Sequence, residues 1–337
     1  MSCVLVMGAG SVGCYLGGVL AAAGVEVHFV GRPRVLQGLR EHGLTVSDMD
    51  GRSHHIPAAQ LNLHESVPAG ITPCSTLLCV KSGATVDAAG SLQRALLTGS
   101  VVVSMQNGIG NAERAQIAAP SLEWRAGMVP FNVAELSPGH FHRGTGGALV
   151  AQAETGDGPL LDLQAAFKRQ GMRLKLLPDL RAVQWGKLLI NLNNPVNALS
   201  GRPLRAQLLQ RGYRRCFAAL QTEALDLLDA AGIEVAQLTP LPPRRLMAML
   251  RLPTLLFRLL AARMLKIDAK ARSSMADDLA LGRVTEIDAL SGEVVRLAQR
   301  LGRPAPLNAR MLALVQAWPQ RPQPYGPREL EEALGVA

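Results

Sequence analysis

The sequence predicts an α/β domain built on a parallel sheet, residues 1–178, followed by an all-α domain, residues 179–337. Three observations predict this fold class. Short apolar segments alternate with helical patterns in the first half, which is typical of a parallel sheet covered by helices. After Pro178, Leu, Ala, Arg and Glu recur at helical spacing without a convincing strand pattern. The length of 337 residues also exceeds one ordinary hydrophobic core.

The elements of the first domain follow in order. A strand at residues 4–7, a small-residue helix ending at Ala23 and a strand at 25–30 form a predicted βαβ unit. The sequence predicts further strands at 76–80, 101–105, 149–151 and 172–176, helices at 33–42, 84–97 and 160–169, and a hairpin of 44–46 with 53–56. In the second domain, 240–243 and 302–306 are predicted loops, and the proline-rich tail after Trp318 is a predicted surface arm.

The composition, 48% hydrophobic and 18% charged, describes a folded protein with a substantial core. The net charge is +9, but the basic residues are dispersed and aromatic residues make up 4%. Little material is present for stacking nucleic-acid bases, so we expect no nucleic-acid partner. A dispersed positive charge instead favours capture of a small anion.

Cysteine usage and hydropathy argue against a metalloprotein, a secreted protein and a membrane protein. The five cysteines form no C-x-x-C pair, and no histidine pair has zinc spacing, so we expect reduced thiols, a cytoplasmic location and no metal. The N-terminal segment predicts a first strand and not a secretion signal. Arg244, Arg251 and Arg258 recur every seven residues in the most apolar region, which predicts an amphipathic helix and no membrane partner.

A glycine motif stands between the first strand and the first helix, Gly8-Ala9-Gly10-Ser11-Val12-Gly13. Its first glycine permits a tight turn, the second allows backbone to approach a pyrophosphate, and the third allows close helix packing. The helix N-terminus then faces the anion. Within a complete βαβ unit, the motif predicts a Rossmann-type dinucleotide site.

The end of the second strand indicates which dinucleotide binds. NAD sites place an acidic residue there, whereas this chain has Arg32, whose guanidinium suits a 2′-phosphate. We therefore predict NADP, as NADPH. Arg34 is interpreted as a helix-surface charge. Lys81 ends the strand at 76–80, at the carboxyl edge where open α/β sheets bind ligands, and is either a ligand-binding residue or an ordinary solvated residue.

Polar residues at two places predict substrate contacts. Asn107 follows the strand at 101–105 and precedes glycines, which suits packing near a nicotinamide or simply a turn. Lys187, Asn191 and Asn194 are spaced i, i+4 and i+7, which predicts one helix face. Unpaired buried polar groups cost about 1–3 kcal/mol each, so this stripe needs partners. A substrate with a carboxylate and a ketone supplies them, and inter-domain hydrogen bonds are the alternative.

Two later segments carry further candidates. Thr285 and Asp288 predict a capping box that places Glu286 in the first turn of a helix. Gly282 predicts a helix break that lets Ser274 and Glu286 approach one site. Taken alone, a glutamate in the position of Glu286 is more often a helix-start carboxylate than a catalytic group.

Together these residues resemble the ketopantoate reductase (2-dehydropantoate 2-reductase) family over most of the chain. The residues that carry the resemblance are Gly8 to Gly13, Arg32, Lys81, Asn107-Gly108-Ile109-Gly110, Gly186-Lys187 through Asn197, Ser273-Ser274-Met275 and Thr285-Glu286-Ile287-Asp288. The resemblance implies NADPH-dependent reduction of 2-dehydropantoate to (R)-pantoate, in the route to pantothenate.

The resemblance also implies roles for individual residues. Lys187 would be the acid that polarises and protonates the ketone. Glu286 would bind substrate, contact the cofactor and help set the protonation state of the lysine. Arg32 and Lys81 would bracket the 2′-phosphate. The residues implied in holding substrate or cofactor are Asn107, Asn191, Asn194 and Ser274.

The chain departs from the family pattern in its second asparagine. Many members carry it eight residues after the lysine, whereas Asn194 follows Lys187 by seven. Either Asn194 fills the position through a local helix distortion or Asn197 fills it. The segment 238–270 is also longer than expected, and both departures bear on substrate identity.

Alternative functions remain open at this point. Another 2-oxo acid reductase, or a β-hydroxyacid dehydrogenase of the 3-hydroxyisobutyrate or 6-phosphogluconate type, could use the same scaffold. A non-catalytic NADP(H) sensor would keep the glycine motif and Arg32 but has no need of the lysine and asparagines. A monomer and a homodimer are both compatible with the sequence.

Overall fold

The computed structural model describes residues 3–154, 156–262, 265 and 271–336. The chain divides into two compact units, Met1–Leu180 and Arg181–Ala337, close to the boundary expected at Pro178. The first unit combines strands and helices, and the described part of the second unit is helical. The predicted fold class, an α/β domain followed by a helical domain, is therefore confirmed.

The first unit consists of strands joined mostly by short helices. Its strands are β1 (Cys3–Met7), β2 (Glu26–Val30), β3 (Leu44–Asp48), β4 (Ser53–Ile56), β5 (Asn62–His64), β6 (Ser75–Leu78), β7 (Val101–Ser104), β8 (Glu123–Met128), β9 (Val133–Ser137), β10 (His140–Arg143), β11 (Leu149–Gln152) and β12 (Leu174–Leu177). Its helices are α1 (Ser11–Ala22), α2 (Pro33–His42), α3 (Thr85–Ala95), α4 (Asn111–Ala118) and α5 (Gly158–Arg169), with 3-10 turns at Ala58–Gln60 and Ser82–Ala84.

The larger sheet of the described residues has eight strands in the order β12-β11-β8-β7-β6-β1-β2-β5. Neighbours from β5 through to β8 are parallel, which confirms the parallel sheet predicted for β1, β2, β6 and β7; β5 and β8 were not predicted. β11 runs antiparallel to β8, and β12 is parallel to β11. The direction reverses because the chain reaches β11 through the β9–β10 hairpin and not through a helical crossover. The strands predicted at this end are confirmed, but the sheet is mixed there.

A smaller sheet, ordered β4-β3-β10-β9, covers the outer side of α1. The predicted hairpin of β3 and β4 is confirmed by antiparallel pairing of Leu44 with Ile56. Helix α1 needs small residues because it lies between two sheets. A Cβ at Gly17 would lie 2.3 Å from the Phe29 ring on one side, and a Cβ at Gly18 would lie 2.5 Å from Val46 on the other.

The described part of the second unit consists of helices and 3-10 turns. The helices are α6 (Arg181–Asn191), α7 (Asn193–Ser200), α8 (Leu204–Leu208), α9 (Arg211–Ala230), α10 (Pro243–Arg251), α11 (Thr254–Leu260), α12 (Ser274–Ala280), α13 (Ser291–Arg300), α14 (Pro306–Gln316) and α15 (Pro327–Leu334). The 3-10 turns are Ile287–Ala289 and Trp318–Gln320. The long helix α9 packs against α7, α8, α10, α13, α14 and α15, so it is the centre of this unit.

The prediction that Arg244, Arg251 and Arg258 share one helix is wrong. Helix α10 ends at Arg251 and α11 begins at Thr254, because Pro253 lacks an amide hydrogen and restricts the residue before it. The fully buried Arg214 of α9 stabilises this break by donating to the carbonyl oxygens of Leu250 and Leu252, at 3.0 and 2.8 Å. Of the unusually long segment 238–270, residues 263, 264 and 266–270 lie outside the described residues.

The prediction of a surface arm after Trp318 is also wrong. Helix α15 packs against α9, with Leu330 and Leu334 fully buried. The connection to it is held by the amide of Tyr325, which donates to the Leu199 carbonyl at 2.8 Å. The tail therefore ends in a helix docked on α9, whereas residues 319–324 before it are exposed.

Candidate active site

The glycine loop follows β1 and has a conformation that few other residues permit. Gly8 has φ of +111°, and its amide donates to the carbonyl of Val30 at 2.9 Å. Ala9 donates to the same carbonyl at 2.8 Å. A Cβ at Gly8 would also lie 2.6 Å from the amide nitrogen of Val80. The first glycine of the motif is therefore required both by its φ value and by the close approach of the next strand.

The other two glycines differ in their surroundings. A Cβ at Gly13 would lie 2.1 Å from the carbonyl oxygen of Gly8, so α1 packs directly against the loop. Gly10 has no atom within 4 Å of its Cβ position and is exposed. Gly10 is the N-cap of α1, so the first amides of the helix, from Ser11 and Val12 onward, point toward this open side. This arrangement fits a pyrophosphate.

Two cations follow the strands on either side of β1. Met7 pairs with Val30 of β2 and with Leu78 of β6, so the carboxyl ends of the three strands lie side by side. Arg32 follows β2 as the N-cap residue of α2, and Lys81 follows β6 as the N-cap residue of a 3-10 turn. Both residues are exposed. The cations therefore flank the strand that carries the glycine loop.

Asn107 follows β7 at the same edge of the sheet. Its carbonyl oxygen accepts hydrogen bonds from the Ser82 hydroxyl at 2.9 Å and from the Asn111 amide group at 2.8 Å. The preceding residue, Gln106, is buried and bonds to the main chain of Val80 at 2.9 Å. Gln106 was not among the predicted site residues. Its importance follows from its burial and its bond to Val80, and no sequence pattern reveals either.

Lys187 lies in the second unit, on α6, next to a close helix–loop contact. A Cβ at the preceding residue, Gly186, would lie 2.5 Å from the carbonyl oxygen of Ala236. Trp185 and Leu188 are buried beside it. Burial lowers the pKa of Lys187 to about 8, because desolvation disfavours the ammonium form. Such a group can donate a proton near neutral pH.

The helix that carries Lys187 is interrupted shortly after it. Helix α6 ends at Asn191 and α7 begins at Asn193, while Leu192 has φ of −61° and ψ of −11°. The Leu192 amide is shared between the carbonyls of Leu188 at 3.0 Å and Leu189 at 3.3 Å. The prediction of one uninterrupted helix face through Asn194 is therefore wrong, because Lys187 and Asn191 lie on one helix and Asn194 on the next.

Buried glutamines from elsewhere in the second unit hold this interruption. Gln221 of α9 donates from Nε2 to the carbonyl of Leu189 at 2.9 Å. Gln207 and Asn193 exchange amide hydrogen bonds of 3.1 and 3.2 Å. The Gln221 bond supplies a side-chain donor to a main-chain carbonyl at the point where the two helices meet, and the Gln207–Asn193 bonds hold the first residue of α7 by its side chain.

Among the asparagines and serines of α7 and the start of α12, Asn197 and Ser273 are buried, whereas Asn194 and Ser274 are at least partly accessible. Asn197 has 0% exposure, accepts from the Ser273 amide at 2.9 Å and donates to the Arg202 carbonyl at 2.8 Å. Ser273 caps α12, which packs against α7, and its hydroxyl donates to the Asn194 carbonyl at 3.2 Å. Asn194 is half-buried, and Ser274 is exposed in the first turn of α12. The structure thus brings Asn194 and Asn197 together with Ser273, the residue directly before Ser274.

Glu286 is half-buried and directly precedes the 3-10 turn Ile287–Ala289. The predicted capping box is wrong, since this turn has no side-chain cap hydrogen bond and Glu286 stands before it. The predicted break at Gly282 is confirmed, because α12 ends at Ala280 and Gly282 has φ of +61°.

Metal-binding clusters, disulfides and membrane-spanning helices are features that the described residues lack. No group of three or more His, Cys, Asp or Glu side chains within them could hold a metal ion. The five cysteines, all of them described, are free. Across the described helices, none is long and apolar enough to cross a membrane.

Comparison with known proteins matches both units to one family. The model of ketopantoate reductase PanE/ApbA matches residues 4–155, and the model of its C-terminal domain matches residues 179–318. A 2-dehydropantoate 2-reductase of Halobacterium salinarum is 29% identical, over 88% of this chain and 92% of the relative.

Solved structures show the same fold. A PanE/ApbA family ketopantoate reductase from Ralstonia eutropha has a TM-score of 0.77 at 28% identity, covering 93% of this chain and 97% of its own. A D-mandelate dehydrogenase, solved with NADH and anilino(oxo)acetate, also has a TM-score of 0.77, at 18% identity and the same coverages of 93% and 97%. With a family match across both units, this chain belongs to the ketopantoate reductase PanE/ApbA family of nicotinamide-dependent oxidoreductases acting on CH–OH groups.

Proposed function

We propose that this protein reduces 2-dehydropantoate to (R)-pantoate with NADPH. The observation that carries the proposal is Lys187, whose pKa burial lowers to about 8 and which shares helix α6 with Asn191, directly before the helix that carries Asn194. The similarity to named 2-dehydropantoate 2-reductases supports the choice of substrate. The five free thiols favour a reducing compartment, and we propose the cytoplasm.

The residues around the glycine loop fit NADPH. The open side of Gly10 and the first amides of α1 would hold the pyrophosphate. Arg32 and Lys81 would bind the 2′-phosphate, since a guanidinium and an ammonium group at neighbouring strand ends both suit that anion. Asn107 would lie near the nicotinamide end. When bound, the reduced nicotinamide supplies the hydride.

Lys187 would act as the acid. The carbonyl oxygen of a 2-oxo acid gains negative charge as the ketone is reduced, and an ammonium group aimed at that oxygen stabilises the charge. Because burial lowers the pKa of Lys187 to about 8, the protonated form predominates at neutral pH and can still release its proton. Glu286 would bind substrate and favour the charged form of the lysine.

Substrate positioning is assigned to Asn191, Asn194 and Ser274. Of the two candidates for the second family asparagine, Asn194 is favoured, because both polar atoms of the Asn197 side chain already bond to Ser273 and Arg202. The interruption at Leu192 supplies the local helix distortion that this assignment requires.

The test is oxidation of NADPH, followed by absorbance, with 2-dehydropantoate beside a panel of branched and aromatic 2-oxo acids. We expect the highest kcat/KM with 2-dehydropantoate and NADPH. The panel includes aromatic acids and NADH because a D-mandelate dehydrogenase of the same fold was solved with NADH and anilino(oxo)acetate. A clear preference for another 2-oxo acid would overturn the substrate assignment and leave the reaction type standing.

A further inference from the structure

The buried amide of Gln106 connects the ends of two neighbouring strands. Gln106 is 6% exposed. Its Nε2 donates to the carbonyl of Val80 at 2.9 Å and to the Thr85 hydroxyl at 2.8 Å. Its Oε1 accepts from the Ser104 hydroxyl at 2.8 Å. Both donors of the amide group are therefore used, and the carbonyl oxygen is anchored at the end of β7.

The two acceptors bracket the turn that carries Lys81. Val80 directly precedes Lys81, and Thr85 is the first residue of α3, after the 3-10 turn Ser82–Ala84. The Thr85 hydroxyl donates in turn to the Ser82 carbonyl at 2.9 Å. Gln106 thus bonds to this turn at its beginning and at its end.

The same contacts reach Asn107. Its carbonyl accepts from the Ser82 hydroxyl at 2.9 Å, within the bracketed turn, and from Asn111 at 2.8 Å. The segment that carries Asn107 and the segment that carries Lys81 are therefore tied to each other by side chains on both sides. A displacement of one segment requires a displacement of the other.

The glycine loop is in direct contact with this network. A Cβ atom on Gly8 would lie only 2.6 Å from the amide nitrogen of Val80, so the loop passes close to this residue. The Cys79 amide also donates to the Met7 carbonyl at 2.8 Å. Because the loop leaves no room for a side chain at Gly8 and the strand ends are hydrogen-bonded, a shift of the main chain around Val80 displaces the loop as well. Loss of the bond from Gln106 to Val80 therefore bears on all three strand ends.

We propose that Gln106 is a positioning residue for the coenzyme: it holds the ends of β1, β6 and β7 in the arrangement that binds the dinucleotide. The inference rests on the proposed function only in that a nicotinamide coenzyme binds at this edge. A site whose parts are already held in place avoids the entropic cost of ordering them on binding. Removal of the amide weakens coenzyme binding through geometry, since Gln106 is buried.

The experiment compares Gln106→Met with a matched control, Gln170→Met. Methionine has a similar length but cannot hydrogen-bond in the same way. Gln170 also donates to a main-chain carbonyl, that of Ala22 at 2.8 Å, but at the opposite end of α1. The dissociation constants of NADPH and NADH are measured by fluorescence titration without substrate, together with thermal unfolding.

We expect Gln106→Met to raise the dissociation constant of the preferred coenzyme about tenfold, the equivalent of one lost buried hydrogen bond. Gln170→Met should leave that dissociation constant unchanged. KM for the coenzyme rises in parallel, whereas kcat at saturating coenzyme changes less. A residue that merely stabilises the fold would lower the unfolding temperature without this selective change.

A second pair of variants keeps the test valid if Gln106→Met does not fold. Thr85→Val removes the hydroxyl that Gln106 bonds, and Thr85→Ser retains it. We expect weaker coenzyme binding for Thr85→Val and rescue by Thr85→Ser. The double variant Gln106→Met/Thr85→Val loses less than the sum of the single losses, because both remove the same hydrogen bond.

Unchanged coenzyme affinity in Gln106→Met, or an equal loss in the Gln170 control, would overturn the inference. Failure of the proposed function is distinguishable, since the titrations contain no 2-dehydropantoate. A wild-type protein that binds coenzyme but reduces another 2-oxo acid would contradict that function and leave this test intact.

Discussion

The glycine loop of the first unit and the Lys187 helix of the second unit both begin from short sequence patterns, but they are held in different ways. The loop is shaped by its own main chain, through the φ of +111° at Gly8 and the amides that bond to Val30. The Lys187 helix is shaped by distant side chains, because Gln221 and Gln207 hold the interruption at Leu192.

The two kinds of sequence pattern therefore encode different information. A glycine motif predicts the backbone conformation of the loop, because glycine combines a positive φ with room for close backbone approach. A spacing of polar residues encodes a helix face only while the helix is continuous. Changes in the loop should therefore act mainly on the coenzyme, and changes in the second unit on catalysis.

The largest expected effect is that of Lys187→Ala, which removes the proposed acid. General acid catalysis contributes about 10²- to 10⁴-fold, so kcat should fall by that order while the dissociation constant of NADPH stays within a few-fold. Steady-state kinetics and a coenzyme titration measure the two quantities. Lys175→Ala, an exposed lysine on β12, is the control. Normal turnover in Lys187→Ala would remove the acid assignment.

Arg32→Asp is expected to act on the coenzyme alone. Charge-assisted hydrogen bonds contribute about 1.5–3 kcal/mol, so NADPH should bind roughly 10- to 100-fold more weakly while NADH is spared. Arg34→Asp, two residues further on and also exposed, is the control and should have little effect. Equal losses for NADPH and NADH would show that Arg32 does not contact the 2′-phosphate.

Two glycine variants separate folding from binding within the loop. Gly13→Ala places a Cβ 2.1 Å from the Gly8 carbonyl, and such overpacking typically costs about 1–3 kcal/mol of unfolding free energy. Gly10→Ala meets open space, so its stability should stay within about 0.5 kcal/mol of wild type. Both variants should bind NADPH more weakly than the wild type. Urea unfolding with coenzyme titration tests this, and unchanged NADPH affinity in Gly10→Ala would contradict the pyrophosphate assignment.

The pH dependence of the reduction follows from Lys187. Because burial lowers the pKa of Lys187 to about 8, the protonated acid is lost as pH rises through that value. Between pH 7 and pH 9 the protonated fraction, and with it kcat for reduction, should fall about tenfold. A rate profile that stays flat across this interval would be incompatible with a lysine acid of this pKa.

The smallest expected effect is that of Gln221→Met, which tests the interruption. Loss of the bond to the Leu189 carbonyl should lower the unfolding free energy by about 1–2 kcal/mol. It should reduce kcat without changing the coenzyme dissociation constant, because Gln221 lies in the second unit. A loss of coenzyme affinity instead would break the division of effects between the two regions.

Much of the first unit follows from local pattern. The strands β1, β6 and β7 are runs of apolar residues, and Asp50-Gly51 lies between β3 and β4, so that local sequence predicts the βαβ unit, the inner strands and the hairpin. Strand β8 was not predicted because Glu123 and Arg125 interrupt its apolar character. Arg125 pairs with Glu123 of the same strand at 2.9 Å and with Asp157, 32 residues further along the chain, at 3.2 Å. The second partner cannot be identified from the strand segment alone.

The residue types that the site requires can be read from the chain alone: glycines where backbone must approach closely, cations where strands end, and a lysine followed by asparagines. Long-range contacts determine that the helix breaks at Leu192, that Asn197 is already bonded, that the C-terminal tail docks on α9 and that Gln106 is buried at the strand ends. Each of these depends on hydrogen-bond or packing partners far along the chain, and local periodicity carries no information about such partners.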